Sequence, residues 1–149
     1  MTIREALFQQ CDAYILERLQ TIQNHINDIH DALSSETKNT SGDKHETGRA
    51  MLQLERESAG QQLAEVELKR DRLSKLKSNK VSNKVGLGSV VYTSKVNYFI
   101  AISAGAITIN EETFYAVSPE SPIAQALLSK EVNDEVQFRD QVFVITNIL

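Results

Sequence analysis

The chain has 149 residues, of which 41% are hydrophobic and 24% charged, and its formal net charge is −4. This length suits one ordinary domain or two small ones, and the acidic balance argues against free nucleic acid as a direct partner. Cys11 is the only cysteine, which excludes an internal disulfide and a zinc site built from cysteines and fits a reducing compartment. No stretch approaches the ~20 apolar residues of a membrane span, and the N-terminus has charge where a signal peptide needs apolar residues. We therefore expect a soluble cytoplasmic protein with no membrane partner.

The first element predicted is a long helix. Thr2 and Glu5 have the spacing of a capping box, which marks a helix start. The apolar residues that follow settle into steps of four and three, which is the spacing of a heptad seam. They are Ile3, Leu7, Cys11, Ile15, Leu19, Ile22, Ile26, Ile29 and Leu33. The pattern predicts a helix to about Leu33, or a rod of roughly 45 Å.

A polar segment, Ser34 to Gly48, is predicted to break this pattern, because Ser, Thr, Asn and Gly compete with the helical backbone for hydrogen bonds. A second helix should begin near Asp43 to Thr47 and end near Lys77. Two helices of similar length joined by a short polar loop form an antiparallel hairpin. We therefore assign residues 1–77 to a helical hairpin whose tip lies at residues 34–48.

Residues 78–86 are polar and aperiodic, which is typical of a linker, and residues 87–149 are predicted to form a second domain. Ser121 followed by Pro122 predicts the start of a short helix, Ile123 to Ser129. Runs rich in β-branched and aromatic residues predict strands. They are Ser89 to Thr93, Asn97 to Ser103, Ala106 to Ile109, Thr113 to Val117, Glu135 to Phe138 and Gln141 to Ile148. The predicted fold class is α+β: a helical hairpin, then a small, mainly antiparallel sheet with one short helix.

Asp43 and Glu46 are the candidate functional pair. Their three-residue spacing at a helix start places both carboxylates near one end and one face of the helix. Two such groups can supply part of the oxygen shell of a divalent cation, with a partner supplying the rest. The same spacing is that of a capping box worth about 1 kcal/mol, and the spacing by itself favours this structural role. The two interpretations are compatible.

The other polar residues of the tip have less definite roles. His45 could bind a phosphate or relay a proton, or could be an ordinary solvated residue. Lys38, Lys44 and Arg49 could contact RNA phosphates or could balance surface charge. The sequence does not separate these alternatives.

Taken together, these residues resemble the bacterial Gre transcript-cleavage factors. The tip has Gly42, Asp43 and Glu46 in a Gly-Asp-x-x-Glu motif. The second domain has the more specific match, Ser121-Pro122-Ile123-Ala124 followed by Gln125 to Leu128, then Lys130-Glu131 and Asp134. In architecture, the resemblance covers essentially the whole chain.

The resemblance implies an FKBP-like second domain that docks on RNA polymerase, with Ser121, Pro122, Ile123 and Ala124 in the partner-binding segment. The hairpin would enter the secondary channel. There Asp43 and Glu46 would help to hold the second catalytic Mg²⁺ in trans, with Gly42, Lys44, His45 and Arg49 supporting the tip. The polymerase would then cleave the 3′ end of backtracked RNA. We also expect a monomer with no activity alone. Two exposed carboxylates leave most of an octahedral Mg²⁺ shell to water, so the isolated protein should hold no metal.

The tip departs from the family pattern after Glu46. This chain has Thr47-Gly48-Arg49-Ala50 where the family continues with Asn-Ala-Glu-Tyr, so Arg49 stands in place of an acidic residue. Ala104-Gly105-Ala106 likewise stands where the family has an acidic docking cluster. Two alternatives therefore remain: a regulator that occupies the channel without promoting cleavage, and a coiled-coil adaptor with no polymerase contact.

Overall fold

The computed structural model describes the backbone of residues 1–38 and 42–149 and the side chains of residues 1–36 and 46–149. Within these residues, two long helices precede a six-stranded sheet and a short helix, which confirms the predicted α+β class. The elements are α1 Ile3–Lys38, α2 Gly42–Leu76, β1 Val90–Thr93, β2 Asn97–Ile100, β3 Gly105–Ile109, β4 Glu112–Val117, α3 Pro122–Leu127, β5 Glu135–Phe138 and β6 Gln141–Ile148.

The chain forms two compact units. One contains Met1–Tyr14 together with Arg70–Leu149, and the other contains Ile15–Lys69. We refer to them as the sheet unit and the helical unit. The first turns of α1 and the last turns of α2 thus belong to the same unit as the sheet, whereas the sequence analysis placed the whole of residues 1–77 in a separate hairpin.

The helical unit is built on the predicted seam. Its buried apolar side chains recur at steps of seven, four and three residues, as facing helices require. Those of α1 are Ile15, Ile22, Ile26 and Ile29, and those of α2 are Ala59 and Val66. A guanidinium nitrogen of Arg49 in α2 donates a hydrogen bond to the carbonyl oxygen of Leu33 in α1, so the two helices run antiparallel here.

The start of α1 is the predicted capping box. The backbone N–H of Glu5 donates to the Thr2 hydroxyl, and the backbone N–H of Thr2 donates to the Glu5 carboxylate, each at 3.0 Å. The predicted end of this helix at Leu33 is wrong, since α1 continues to Lys38. Ser and Thr cost only a few tenths of a kcal/mol each in a helix, and packing against a second helix overrides that preference. Residues 39–41, the middle of the predicted tip, lie outside the described residues.

The sheet has the strand order β3-β4-β2-β1-β6-β5. All neighbouring pairs are antiparallel except β2 and β4, which run parallel. This confirms the prediction of a mainly antiparallel sheet. The strand predicted over Asn97 to Ser103 is shorter, because β2 ends at Ile100 and the chain bends there while Ala101 and Ile102 remain buried.

Alternate residues of the strands supply both faces of the sheet, as the two-residue period of a strand requires. One face packs with α3 in a core that contains Val91, Ile100 and Leu127. On the other face, the rings of Phe8 in α1 and Phe99 in β2 meet edge to face with centroids 5.0 Å apart. The sheet is therefore a middle layer between α3 and the base of the long helices.

The predicted linker contributes to this core. Val85 is buried, its backbone N–H donates to the carbonyl oxygen of Lys130, and its carbonyl oxygen accepts from the N–H of Ser129. The chain is thus attached to the domain several residues before β1 begins.

Gly88 is the glycine that the fold most clearly requires. Its φ is +84°, a value that residues with a Cβ rarely adopt. A Cβ built at this position would lie 2.9 Å from a guanidinium nitrogen of Arg4 and 3.4 Å from the carbonyl oxygen of Leu76. Only glycine lets the backbone approach the base of the helices this closely.

We predict that Gly88→Ala lowers the free energy of unfolding by about 2 kcal/mol, the sum of backbone strain and displacement of Arg4. Gly86→Ala is the matched control, since a Cβ there would meet nothing within 4 Å, and its effect should stay within about 0.5 kcal/mol. Urea unfolding followed by circular dichroism measures both. Equal effects of the two substitutions would contradict the close approach at Gly88.

Candidate functional site

The candidate carboxylate pair lies at the start of α2. This helix begins at Gly42, so Asp43 and Glu46 are three positions apart within its first two turns. Glu46 and Thr47 are exposed. The side chains of Asp43, Lys44 and His45 lie outside the described residues, so the capping and metal-binding interpretations of Asp43 both remain predictions.

Two contacts join the start of α2 to the end of α1. A guanidinium nitrogen of Arg49 lies 3.3 Å from the carbonyl oxygen of Leu33, and the Glu36 carboxylate lies beside Gly48, 3.5 Å from where a Cβ would stand. Arg49 is half-buried. Its guanidinium therefore makes a hydrogen bond between the two helices, one turn after the acidic pair.

The candidate docking segment combines a helix cap with core residues. The Ser121 hydroxyl donates to the carbonyl oxygen of Ser118 at 2.7 Å and accepts from the backbone N–H of Ala124 at 3.3 Å. Ile123 and Ala124 belong to the core, whereas Pro122, at the first turn of α3, is exposed. Of the four predicted docking residues, Pro122 thus has the most accessible surface.

Arg4 is a key residue that the sequence analysis missed. Its guanidinium donates to the carbonyl oxygens of Gly88, Leu76 and Asn79, at 2.9, 3.4 and 3.3 Å, and lies over the ring of Phe8. Burial lowers its pKa. One signal was available in the sequence: a cation in the first turn of a helix is unfavourable to the helix dipole, so Arg4 needs partners elsewhere.

A surface depression of about 380 Å³ lies along the first turns of α1, between Arg4 and Lys77. Its charged side chains are engaged within the protein. Glu5 caps α1, Arg4 binds the three carbonyl oxygens, and Lys77 forms an ion pair with Asp12. These partners indicate that the depression is a by-product of the structural contacts at the base of the helices.

In the described part of the chain, no three His, Cys, Asp or Glu side chains come together as a metal site would require. The described helices also include none with the length and apolar character needed to cross a membrane.

The chain was compared with protein families, curated proteins and solved structures. No family model and no curated protein matches the chain. Four chains among the solved structures match, one of them described as the structure of the transcription factor Gfh1. It is 20% identical over 90% of both chains, with a TM-score of 0.34.

Cys11 is a free cysteine in α1. The side chain is fully buried, and burial, followed by the nearby charge of Asp12, raises the pKa of its thiol from 9.0 to about 12. Since the thiolate is the reactive form, the folded thiol should be inert near neutral pH.

We predict that iodoacetamide labels Cys11 at pH 8 about a thousandfold more slowly in the folded chain than in urea, in proportion to the thiolate fraction. The unfolded chain ionises first as pH rises, so the contribution of this thiol to stability is present below about pH 9 and is lost as pH rises towards 12. Mass spectrometry of the labelled protein measures the rates. Similar labelling with and without urea would contradict this account.

Proposed function

We propose that this chain is a transcription factor that binds RNA polymerase in its secondary channel and promotes cleavage of backtracked RNA. The observation that carries the proposal is the position of Asp43 and Glu46 in the first turns of α2, a helix of 35 residues that follows a helix of 36 residues. The two acidic residues therefore lie at the start of α2, a few residues after the end of α1. Ser121 and Pro122 cap and begin α3, and they match the motif of the family that the sequence resembles. The docking role proposed for this segment depends on that match.

The donor set at the tip fits a magnesium ion shared with a partner. Mg²⁺ prefers carboxylate oxygens, usually one or two of them, with the rest of its octahedral shell completed by water and phosphate. Asp43 and Glu46 would hold the ion, and Glu46 is exposed as such a ligand must be. The bound ion would supply the charge that assists attack by water or departure of the leaving oxygen in phosphodiester hydrolysis. The chain itself would position these two carboxylates.

A second candidate function is occupation of the channel without cleavage. Arg49 favours it: where the resembling family has an acidic residue, this chain has a cation, and its guanidinium binds the carbonyl oxygen of Leu33. The tip then has fewer carboxylates than the family pattern and one more positive charge. An adaptor that does not contact the polymerase is a further alternative, which co-purification with core polymerase would distinguish from the other two.

We predict that Asp43→Asn and Glu46→Gln each abolish stimulated cleavage in a stalled, backtracked elongation complex while polymerase binding stays within about twofold. Asn still caps a helix and Gln still completes a capping box, so both variants remove the charge and spare the helix start. Glu57→Gln is the matched control, because it removes one exposed carboxylate of α2 away from the tip and should retain full activity.

The outcomes separate the candidate functions. Near-normal cleavage by both tip variants would mean that the pair acts only as a cap. No cleavage by the wild-type chain, together with competition for the channel, would favour the regulator. Failure of the wild-type chain to bind polymerase would overturn the proposal and favour the adaptor.

Docking is tested at Pro122, whose exposed ring lies beside the capped start of α3. We predict that Pro122→Glu weakens polymerase binding at least tenfold. An acidic residue in the first turn suits the helix dipole, so α3 should persist. Gln141→Glu, at an exposed position in β6, adds the same charge elsewhere and should bind normally. Equal binding of the two variants, measured by fluorescence anisotropy, would place docking on another surface.

A further inference from the structure

Strand β3 forms one edge of the sheet. It occupies the end of the strand order, and its ladder partner is β4. Gly105, Ala106 and Thr108 are exposed, and Ile107 and Ile109 are half-buried. An edge strand presents backbone N–H and C=O groups that another strand can pair with.

The register identifies which backbone groups face outward. Asn110 and Glu111 both have positive φ, which is the conformation of a two-residue hairpin turn, so Ile109 and Glu112 form a hydrogen-bonded pair. In an antiparallel ladder such pairs alternate with non-bonded ones. Gly105, Ile107 and Ile109 therefore bond to β4, and Ala106 and Thr108 direct their N–H and C=O groups to the open edge.

The side of β4 that faces β2 supports the same assignment of odd and even residues. There the backbone N–H of Ala101 donates to the carbonyl oxygen of Val117, at 2.9 Å, where β4 runs beside β2. Odd-numbered residues of β4 thus face β2, which leaves the even-numbered residues Phe114 and Ala116 to bond to β3.

The usual protection of an edge strand is missing from β3. Proteins protect edges with charged residues, proline or a covering element. Gly105–Ile109 contains neither a charged residue nor proline. At the opposite edge, β5 is four residues long, begins with Glu135 and packs against α3. The two edges differ, and β3 is the one suited to accept a strand.

We propose that β3 pairs antiparallel with β3 of a second copy of this chain, about a twofold axis at Ile107. This axis places Ala106 opposite Thr108 of the second copy, and Thr108 opposite its Ala106. These are the residues whose backbone groups face outward, so both pairs can exchange N–H···O bonds. A register that satisfies the edge groups is thus also one that a twofold axis permits.

The side chains fit this pairing. Gly105 faces Ile109 of the second copy, and a Cβ on Gly105 would meet nothing within 4 Å, so there is open space beside it. Ile107 meets its own counterpart in a non-hydrogen-bonded pair, the kind in which side chains come closest. No like charges are brought opposite each other, because β3 has none. This uncharged self-complementarity favours a second copy over a charged partner segment.

The proposed contact is small. Five residues of paired edge bury less than the ~1,200 Å² of a standard interface, so we expect a dissociation constant between about 1 μM and 1 mM. The dimer should therefore form reversibly with protein concentration, and this differs from the monomer predicted from the sequence.

Sedimentation equilibrium of the full chain from about 10 μM to about 1 mM tests the proposal, with Thr108→Lys as the variant. A lysine on the edge should raise the dissociation constant at least tenfold. Thr113→Lys is the matched control. Thr113 is exposed opposite Thr108 in β4, and either substitution removes the same 3.2 Å contact between the two hydroxyls. Only Thr108 lies on the edge, so the control should dimerise as the wild type does.

Amide chemical shifts over the same range locate the contact, and the amides of Ala106 and Thr108 should move most with concentration. Circular dichroism verifies that both lysine variants are folded. A wild-type chain that stays monomeric throughout overturns the proposal, as does a dimer that Thr108→Lys leaves intact. Pairing of the β3 edge with an added extended peptide, without self-association, would assign the edge to a different occupant and also overturn it.

Discussion

The sheet unit depends on the hydrogen bonds of one guanidinium. Arg4, at the start of α1, donates to the carbonyl oxygen of Leu76, the last residue of α2, and to that of Gly88, just before β1. The last carbonyls of a helix have no partner within it, and a cation there also suits the helix dipole. Because α1 and α2 run antiparallel, a cation that is unfavourable for its own helix is favourable for the neighbouring one.

The close approach at Gly88 follows from this arrangement. The Arg4 guanidinium reaches the chain before β1 only where no Cβ intervenes, and the ring of Phe8, beneath that guanidinium, extends to Phe99 in the sheet. The polar contact thus lies over an aromatic one, and each limits the movement of the other. This coupling explains why the first turns of α1 belong to the sheet unit.

Sequence patterns were most informative where the determining interactions are local. The capping box at Thr2 and the bounds of β5 and β6 agree with the structure because a few adjacent residues decide them. The parallel pairing of β2 with β4, the partners of Arg4 and the extension of α1 to Lys38 depend on residues distant in sequence. No local pattern records such contacts, so the sequence alone could not supply them.

The candidate site shows the same division. The spacing of Asp43 and Glu46 equals that of Thr2 and Glu5, which form a reciprocal cap, so the spacing by itself has a sufficient structural explanation. Arg49 also has one, because its guanidinium binds the carbonyl oxygen of Leu33 near the end of α1. The cation at position 49 therefore serves the helix pair. What capping does not require is a negative charge at both positions 43 and 46, since Asn and Gln would serve as well. Negative charge at the start of α2 also suits the helix dipole, so the proposed metal role depends on the charge of the pair together with its place at the helix start.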